Sequence, residues 1–541
     1  MTVIDEALTR LRQGRAEAPG PIGEEFRSHG IGFAAIGGPL EARWDQAVAE
    51  LGACVGALGD GDAPVLSEGG VYRGSWIEST GTISAEVLTR FAPTVARETF
   101  LQFARHQRDD GLIPYKVTAD GEAFTQIQIV TPLARSVWNH YLLSGRDRGF
   151  LAAMYGAMSR NDTWLAVHRD TRGTGGVEAF CTFDTGHDLS PRFWFAPDRC
   201  YRGDAARVDP ASPVLPYIAP DLTANIACQR AYLALIAEEL GDDPEPWRRK
   251  ADASLTALWR ECWDAADETF YDRAKDGAPV RIVSDVLLRV LACEVGDDDV
   301  FGRALERYLM HTGRFLAHYG FTSLAMDDPR FDHDFRRNSW AGPVNFLALL
   351  RVPQAFEAHG RVAELGVASM PVLSAVALAD RFPQCLDPWS GEAGFTEVYS
   401  PSILWFLDAI ERWTGILPRP DGDLWFTCLS PTRLDHGAAA RAVASSRTID
   451  GVHFESAADD DEVVVLRDGA VHVRFPRGWR VVTDRSGELR SVVCVAAGAV
   501  SGQLLRGSES IPLTLSPNER VDVRGLDVVS RSAPGFVAPH A

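Results

Sequence analysis

From about residue 39 to 416, apolar residues recur at spacings of three and four, the period of a helix with one buried face. Read between Gly, Pro and Asp punctuation, the pattern predicts about a dozen helices. "LEARWDQAVAELGACVGAL" (39–57), "TVARETFLQFARH" (94–106) and "GFLAAMYGAMSRNDTWLAVHRD" (149–170) stand early in the series. "DLTANIACQRAYLALIAEEL" (221–240), "IVSDVLLRVLACEV" (282–295), "AGPVNFLALLR" (341–351) and "PSILWFLDAIERWTG" (401–415) follow. No sequence repeat links them, so the expected arrangement is a toroid of six helical hairpins or an irregular bundle. The long connections at 60–80, 109–128, 171–220, 317–340 and 383–400 are rich in Trp, Asp, Arg and Pro and favour the toroid. In such a fold they gather at one rim, where loops on a rigid scaffold build a site.

After "LPRPDGD" (417–423) the pattern changes. "EVVVL" (462–466), "VHVRF" (471–475), "WRVVT" (479–483), "SVVCVAA" (491–497) and "IPLTL" (511–515) are short and β-branched, with turn signals between them. The expected organisation is mainly α: a lead-in over 1–38, a helical catalytic domain over 39–416, and a small β-sandwich over 421–541.

Composition narrows the function classes. Hydrophobic residues at 46% and charged residues at 24% fit a globular protein. The net charge of -20 opposes binding to nucleic acid or to anionic membranes. Nine cysteines stand singly, with no CxxC, so neither a zinc site, a disulfide framework nor another metal or cofactor is expected. The N-terminal "MTVIDEALTRLRQG" lacks the shape of a signal peptide, and no run of about 18 apolar residues occurs; a cytoplasmic location is the expectation.

Three loops concentrate chemistry. In "CTFDTGHDLSPRF" (181–193), Asp188 precedes Leu-Ser-Pro, and the proline biases its neighbour away from helix. Its carboxylate belongs on a loop, as an Asx turn, a helix cap or a catalyst. In "GFTEVYSPSILWF" (394–406), Glu397 lies between Phe395 and Tyr399, either capping the helix that follows or working among aromatic rings. In "DDPRFDHDFRRNSWAGPVNFL" (327–347), four aspartates and three arginines crowd Trp340 and Asn345. That is either a salt-bridged loop or a set suited to a polyhydroxylated ligand, with rings for a sugar's apolar face and charged groups for its hydroxyls. "YRGSWIEST" (72–80), with Trp76 and Glu78, and "HQRDDGLIPYKV" (106–117), with Gln107 and Lys116, have the same character.

Taken in order, these segments resemble the inverting glycosidases with an (α/α)6 barrel, the group of processing α-glucosidase, trehalases and mannosylglycerate or glucosylglycerate hydrolases. "DTGHDLSPRF" is similar to the group's acid loop, "NSWAGPVNFL" to a later sugar-binding loop, and "GFTEVYSP" to the base loop. "DDGLIP" resembles a turn near the first site loop. The resemblance covers about two thirds of the chain. It implies Asp188 as general acid and Glu397 as general base, held roughly 6.5–9.5 Å apart so that a water fits between base and sugar. It also implies sugar contacts from Trp76, Glu78, Gln107, Lys116, Gln126, His187, Arg192, Arg337, Trp340, Asn345 and Tyr399. The implied substrate is a small α-linked glucoside or mannoside, a disaccharide or glycosyl-acid. Lys116, Arg172, Arg336 and Arg337 are candidates for an aglycone carboxylate. Departures from the group, Leu189, His187, Ala341 and Glu78, fall at sugar-contacting positions. A catalytically silent sugar-binding toroid and a glycoside phosphorylase are the competing expectations.

Overall fold

In the computed structural model, which describes residues 2–14, 20–59, 61–429 and 440–541, the helical period is realised where it is strongest. Helices run over Leu40–Ala53, Pro93–Arg105, Leu133–Leu143, Arg148–His168, Pro220–Leu240, Glu245–Ala257, Phe346–Ala358, Val362–Leu378 and Ser400–Thr414. Local chemistry sets their ends. Asp147 accepts from the amides of Gly149 and Phe150 at one start, and Gly241, left-handed at φ 89°, closes Pro220–Leu240. The expected 341–351 helix begins only at Phe346, because Asn345 caps it by accepting from the Leu347 amide at 2.9 Å. The expected 282–295 helix shrinks to Val286–Leu291.

Ser400–Thr414 is buried along its whole length although it carries Asp408, Glu411 and Arg412. Those charges are tolerated because each is paired. Arg412 bonds Asp408 at 2.8 and 2.9 Å, Arg90 bonds Glu411 at 2.7 Å and also Asp408, and Arg447 reaches Glu411 from the β region.

The β region exceeds the expectation. It consists of two antiparallel sheets. One, of six strands, has the order Ile416–Pro418, Asp423–Thr427, Trp479–Asp484, Leu489–Cys494, Arg520–Arg524 and Asp527–Ser532. The other, of seven, runs through Val443–Ile449, Val452–Ala458, Glu462–Arg467, Ala470–Pro476, Val500–Arg506 and Glu509–Leu515. Its remaining strand comes from the N-terminal lead-in: Gly32–Ala35 pairs along the edge of Val443–Ile449, with Phe33 opposite Ser445.

Short pairings fix the loops of the helical region. Trp76 lies opposite Lys116, and Asn345 opposite Cys385, which brings residue 384 beside the start of Phe346–Ala358. Among the described residues no helix is long and apolar enough to cross a membrane.

Candidate active site

The acid loop is anchored from below. Asp184 takes the Arg169 guanidinium and the amides of Ile127 and Phe180, all buried. Cys181 and Cys200 stand close to that carboxylate, but Arg169 already supplies the cation there, so the three residues do not make a metal site. Arg192 forks to Asp272 at 2.6 and 2.7 Å and to Asp221 at 2.9 and 3.0 Å. With its donors committed inside the protein, Arg192 pins the loop and has none left for sugar, a correction to the sequence reading.

His187 lies between Arg192, 2.6 Å from Nδ1, and Asp285, 2.9 Å from Nε2. Burial, with Arg289 adding to it, pushes its pKa down to about 3, so the ring is neutral and transfers no proton near neutrality. Its work is to support Trp340, whose ring centre lies 5.0 Å from the imidazole and 4.7 Å from the Arg289 guanidinium.

Asp188 follows on this platform. Its carbonyl accepts from the Trp340 amide at 2.9 Å, and its Oδ2 accepts from the Asn338 side chain. Burial and the neighbouring Glu78, Asp198 and Glu68 raise its pKa well above the usual carboxylate range. A carboxyl that stays protonated is what proton donation to a leaving oxygen requires.

Glu78 is buried beside it. Gln128 donates to its Oε2, while Oε1 has no partner. Burial raises Glu78 to about 7, a rise that Arg351 and Arg289 hold in check. Gly186, at φ 65°, admits this contact: a Cβ there would sit 2.0 Å from Glu78 Oε1. Glu68 receives Ser79 at 2.7 Å and Tyr399 at 2.8 Å, and burial raises it to about 8. Trp76 meets Tyr72 edge-on at 5.8 Å, and Lys116 stands 4.8 Å over its ring.

A group of buried polar atoms in this region has no hydrogen-bond partner: Glu78 Oε1, Gln128 Oε1, Trp76 Nε1, Arg289 Nη2 and all three nitrogens of Arg351. Burial and Arg289 lower Arg351 to about 10, which leaves it charged. Donors and acceptors stand mixed, the demand a polyol meets with hydroxyls that do both.

Other sequence candidates lie elsewhere. Gln107 bonds the carbonyls of Gly111 and Ala157 at 2.7 and 2.8 Å, holding its turn to a helix. Gln126 accepts from its neighbour Thr125; Gln128, two residues on, is the one at Glu78. Asn345 is the helix cap with its amide nitrogen unpaired. Arg172 is bound to Glu178 and to the carbonyls of Ala274, Pro216 and Arg273, and exposed Arg337 pairs with Asp334 and Asp332. Neither is free for an aglycone. Glu397 is exposed in an open groove of about 750 Å³ lined also by Gly70, Phe335, Arg336 and Arg381. Thr396 and Val398 on either side hold left-handed φ of 60° and 48°, rare for β-branched residues. Glu68, Tyr72, Gln128, Arg289, Asn338, Arg351 and Gln384 are site residues that motif reading missed. For two of them a signal exists: an arginine inside an apolar run, "VLLRVL" and "FLALLR".

A family model described as the mannosylglycerate hydrolase MGH1-like glycoside hydrolase domain matches residues 72–402. A GH63 mannosylglycerate hydrolase from Thermus thermophilus, solved with Tris and D-glycerate, is similar at 18% identity with TM-score 0.57. That match covers 68% of this chain and 99% of the other. Neutral trehalase Nth1 from Saccharomyces cerevisiae is similar at 13% identity with TM-score 0.51, over 64% of this chain and 73% of its own. A sialidase structure spans 89% of this chain and 44% of its own at 14% identity, with TM-score 0.60. No match was found among curated proteins. At these identities the structural likenesses establish the toroid-type fold of the helical region.

Proposed function

Since the chain belongs to the mannosylglycerate hydrolase MGH1-like glycoside hydrolase family, we propose that it hydrolyses a small α-linked glucoside or mannoside with inversion on an (α/α)6 barrel. Asp188 is the proton donor, and Glu397 is the base that activates water. The observation that carries the reading is the set of unpartnered buried groups on Glu78, Gln128, Trp76, Arg289 and Arg351, next to a carboxyl kept protonated. A sugar ring supplies the missing partners and presents its glycosidic oxygen to Asp188. Lys116 and Arg336 make no ion pair with a described residue, and they suit a carboxylate on the aglycone. D-glycerate in the Thermus thermophilus structure is the ligand that suggests such a group. A cytoplasmic place fits a substrate of that size.

One observation favours a second reading, a sugar-binding toroid without turnover: Glu397 is exposed, and the group linked to Asp188 through Asn338 is the amide of Gln384.

Proton NMR on a panel of α-glucosides and α-mannosides, with trehalose, glucosylglycerate and mannosylglycerate among them, separates the readings. Hydrolysis with inversion releases the donor sugar first as the β-anomer, while the leaving unit of trehalose appears as the α-anomer. Asp188→Asn is expected to stop glycoside cleavage yet retain turnover of the matching α-glycosyl fluoride, whose leaving group needs no proton. Glu397→Gln is expected to stop both. Release of the donor sugar as the α-anomer, or full activity in Glu397→Gln, refutes the mechanism; binding without turnover by the wild type establishes the second reading.

A further inference from the structure

The Asn338 amide that meets Asp188 is the last link of a longer series. Tyr72 Oη donates to Gln384 Oε1 at 2.7 Å, Gln384 Nε2 donates to Asn338 Oδ1 at 2.9 Å, and Asn338 Nδ2 donates to Asp188 Oδ2. We propose that Tyr72, Gln384 and Asn338 are positioning residues that form a one-way hydrogen-bond chain ending on Asp188 Oδ2, and that this chain assigns the transferable proton to Oδ1. The inference rests on Asp188 being the proton donor.

Each link points the same way for a physical reason. Tyr72 is half-buried near Glu68, Asp188 and Glu78, and that burial and those acids hold its hydroxyl in the neutral, donating form. An amide that accepts on oxygen donates more strongly from nitrogen, so successive links reinforce one another. The two amides cannot slide. The Gln384 backbone is fixed at both ends, its amide donating to the Phe395 carbonyl at 2.8 Å and its carbonyl accepting from Phe346 at 3.0 Å. Two residues past Asn338, the Trp340 amide holds the Asp188 carbonyl. Tyr72 is wedged between Trp76 and Tyr399, at ring distances of 5.8 and 5.9 Å.

The chain also opposes its surroundings. Burial, Glu78, Asp198 and Glu68 all disfavour ionised Asp188, and among the groups placed around it the Asn338 amide favours the ionised form. A donor that never loses its proton cannot transfer it, so a group aimed at one oxygen keeps the acid strong enough to act. Because Oδ2 is occupied as an acceptor in either charge state, protonation falls on Oδ1, and the carboxyl rotamer is set before substrate arrives.

Infrared difference titration of the full chain, each form minus its own Asp188→Asn counterpart, reads the Asp188 carboxyl without any substrate. Asn338→Leu is expected to raise its midpoint by about one pH unit, the scale of one lost bond to a carboxylate. Tyr72→Phe keeps both ring contacts and is expected to raise it by roughly half as much, through Gln384. With p-nitrophenyl α-glucoside or α-mannoside, the alkaline limb of kcat/KM moves up in step with the infrared midpoint. Unmoved midpoints in both variants overturn the proposal, as does a shift in Asn338→Leu with none in Tyr72→Phe, which would end the chain at Asn338. A gain of turnover in Gln384→Glu also overturns it, since position 384 would then be doing a carboxylate's work. If Asp188→Asn still cleaves glycosides, the functional reading fails on its own, and the infrared result is judged separately.

Discussion

Two buried regions of this molecule are crowded with arginine and carboxylate, and they treat those charges in opposite ways. Where the helical region meets the sandwich, Asp408, Glu411 and Glu357 each have both oxygens engaged, by Arg90, Arg412, Arg419 and Arg447. At the site, Arg351 has no bond to any nitrogen, and Glu78 and Gln128 each leave an oxygen unanswered. Burying charge costs several kcal/mol per ion, and a closed network offsets that cost with internal partners. The site leaves the offset to a ligand. Carboxylates with every oxygen engaged mark a joint, and acids and arginines left unanswered mark a place for something to bind.

Substitutions test that contrast, and the largest effect belongs to the joint. Glu411→Ala strands Arg90 and Arg447 and is expected to lower unfolding free energy by about 3–5 kcal/mol in urea, with kcat of the folded fraction nearly unchanged. Arg351→Met is expected to do the reverse. Turnover falls about 100-fold, roughly 3 kcal/mol of transition-state binding, while the melting temperature holds or rises because an unpaired buried charge is gone.

The two regions also differ in their response to pH. Glu78, at about 7 in the fold, binds its proton more tightly there than in the unfolded chain. Its contribution to stability is complete below about pH 4.5 and is lost as pH rises through 7. Glu78→Gln is therefore expected to match the wild type at pH 4.5 and exceed it by about 3 kcal/mol at pH 9. Burial would raise Asp408, but Arg412 and Arg90 bring it down to about 2, so its contribution is present above the unfolded value and lost as pH falls through 2. Stability curves should leave that of the wild type in opposite directions: Asp408→Asn falls below it as pH rises from 2 to about 4, and Glu78→Gln climbs above it as pH rises from about 4.5 through 7.

Smaller effects follow. Gly186→Ala puts a methyl against Glu78 Oε1 and a side chain at φ 65°, and is expected to cost about 1–3 kcal/mol and to weaken substrate binding, read by calorimetry and KM. Arg337→Ala, in an exposed pair with Asp334, should change stability by less than about 0.5 kcal/mol and leave aglycone preference unaltered.

Much of the helical framework was legible because apolar periodicity over ten or more residues reports a buried face. Pro220–Leu240 and Ser400–Thr414 begin within a residue of where the pattern places them. That Asp188 lies on a loop was legible through its neighbours. What periodicity could not give is which polar residues end up paired. Arg192 and Arg289 look alike in sequence, yet one is saturated by two aspartates and the other keeps a free nitrogen. Gln126 and Gln128 alternate in "TQIQIV", so spacing puts them on one face and does not choose between them. The resemblance assigns Glu397 as the base, but Tyr399 turns inward to Glu68 while Glu397 is exposed; residues two apart in an extended segment share a face, and the left-handed Val398 between them breaks that rule. The lead-in was too short to announce a strand, since its pairing partner lies more than 400 residues away.

That borrowed strand ties the order of synthesis to the order of assembly. Gly32–Ala35 leaves the ribosome about 400 residues before its seat along Val443–Ile449 is made. Until then an early peptide waits while the barrel folds between the two. A sandwich expressed alone from residue 416 would show a bare row of amides and carbonyls along Val443–Ile449, an open edge ready to recruit another copy. Gly32–Ala35 is thus a cap for the edge of the sandwich, lent across the whole helical region.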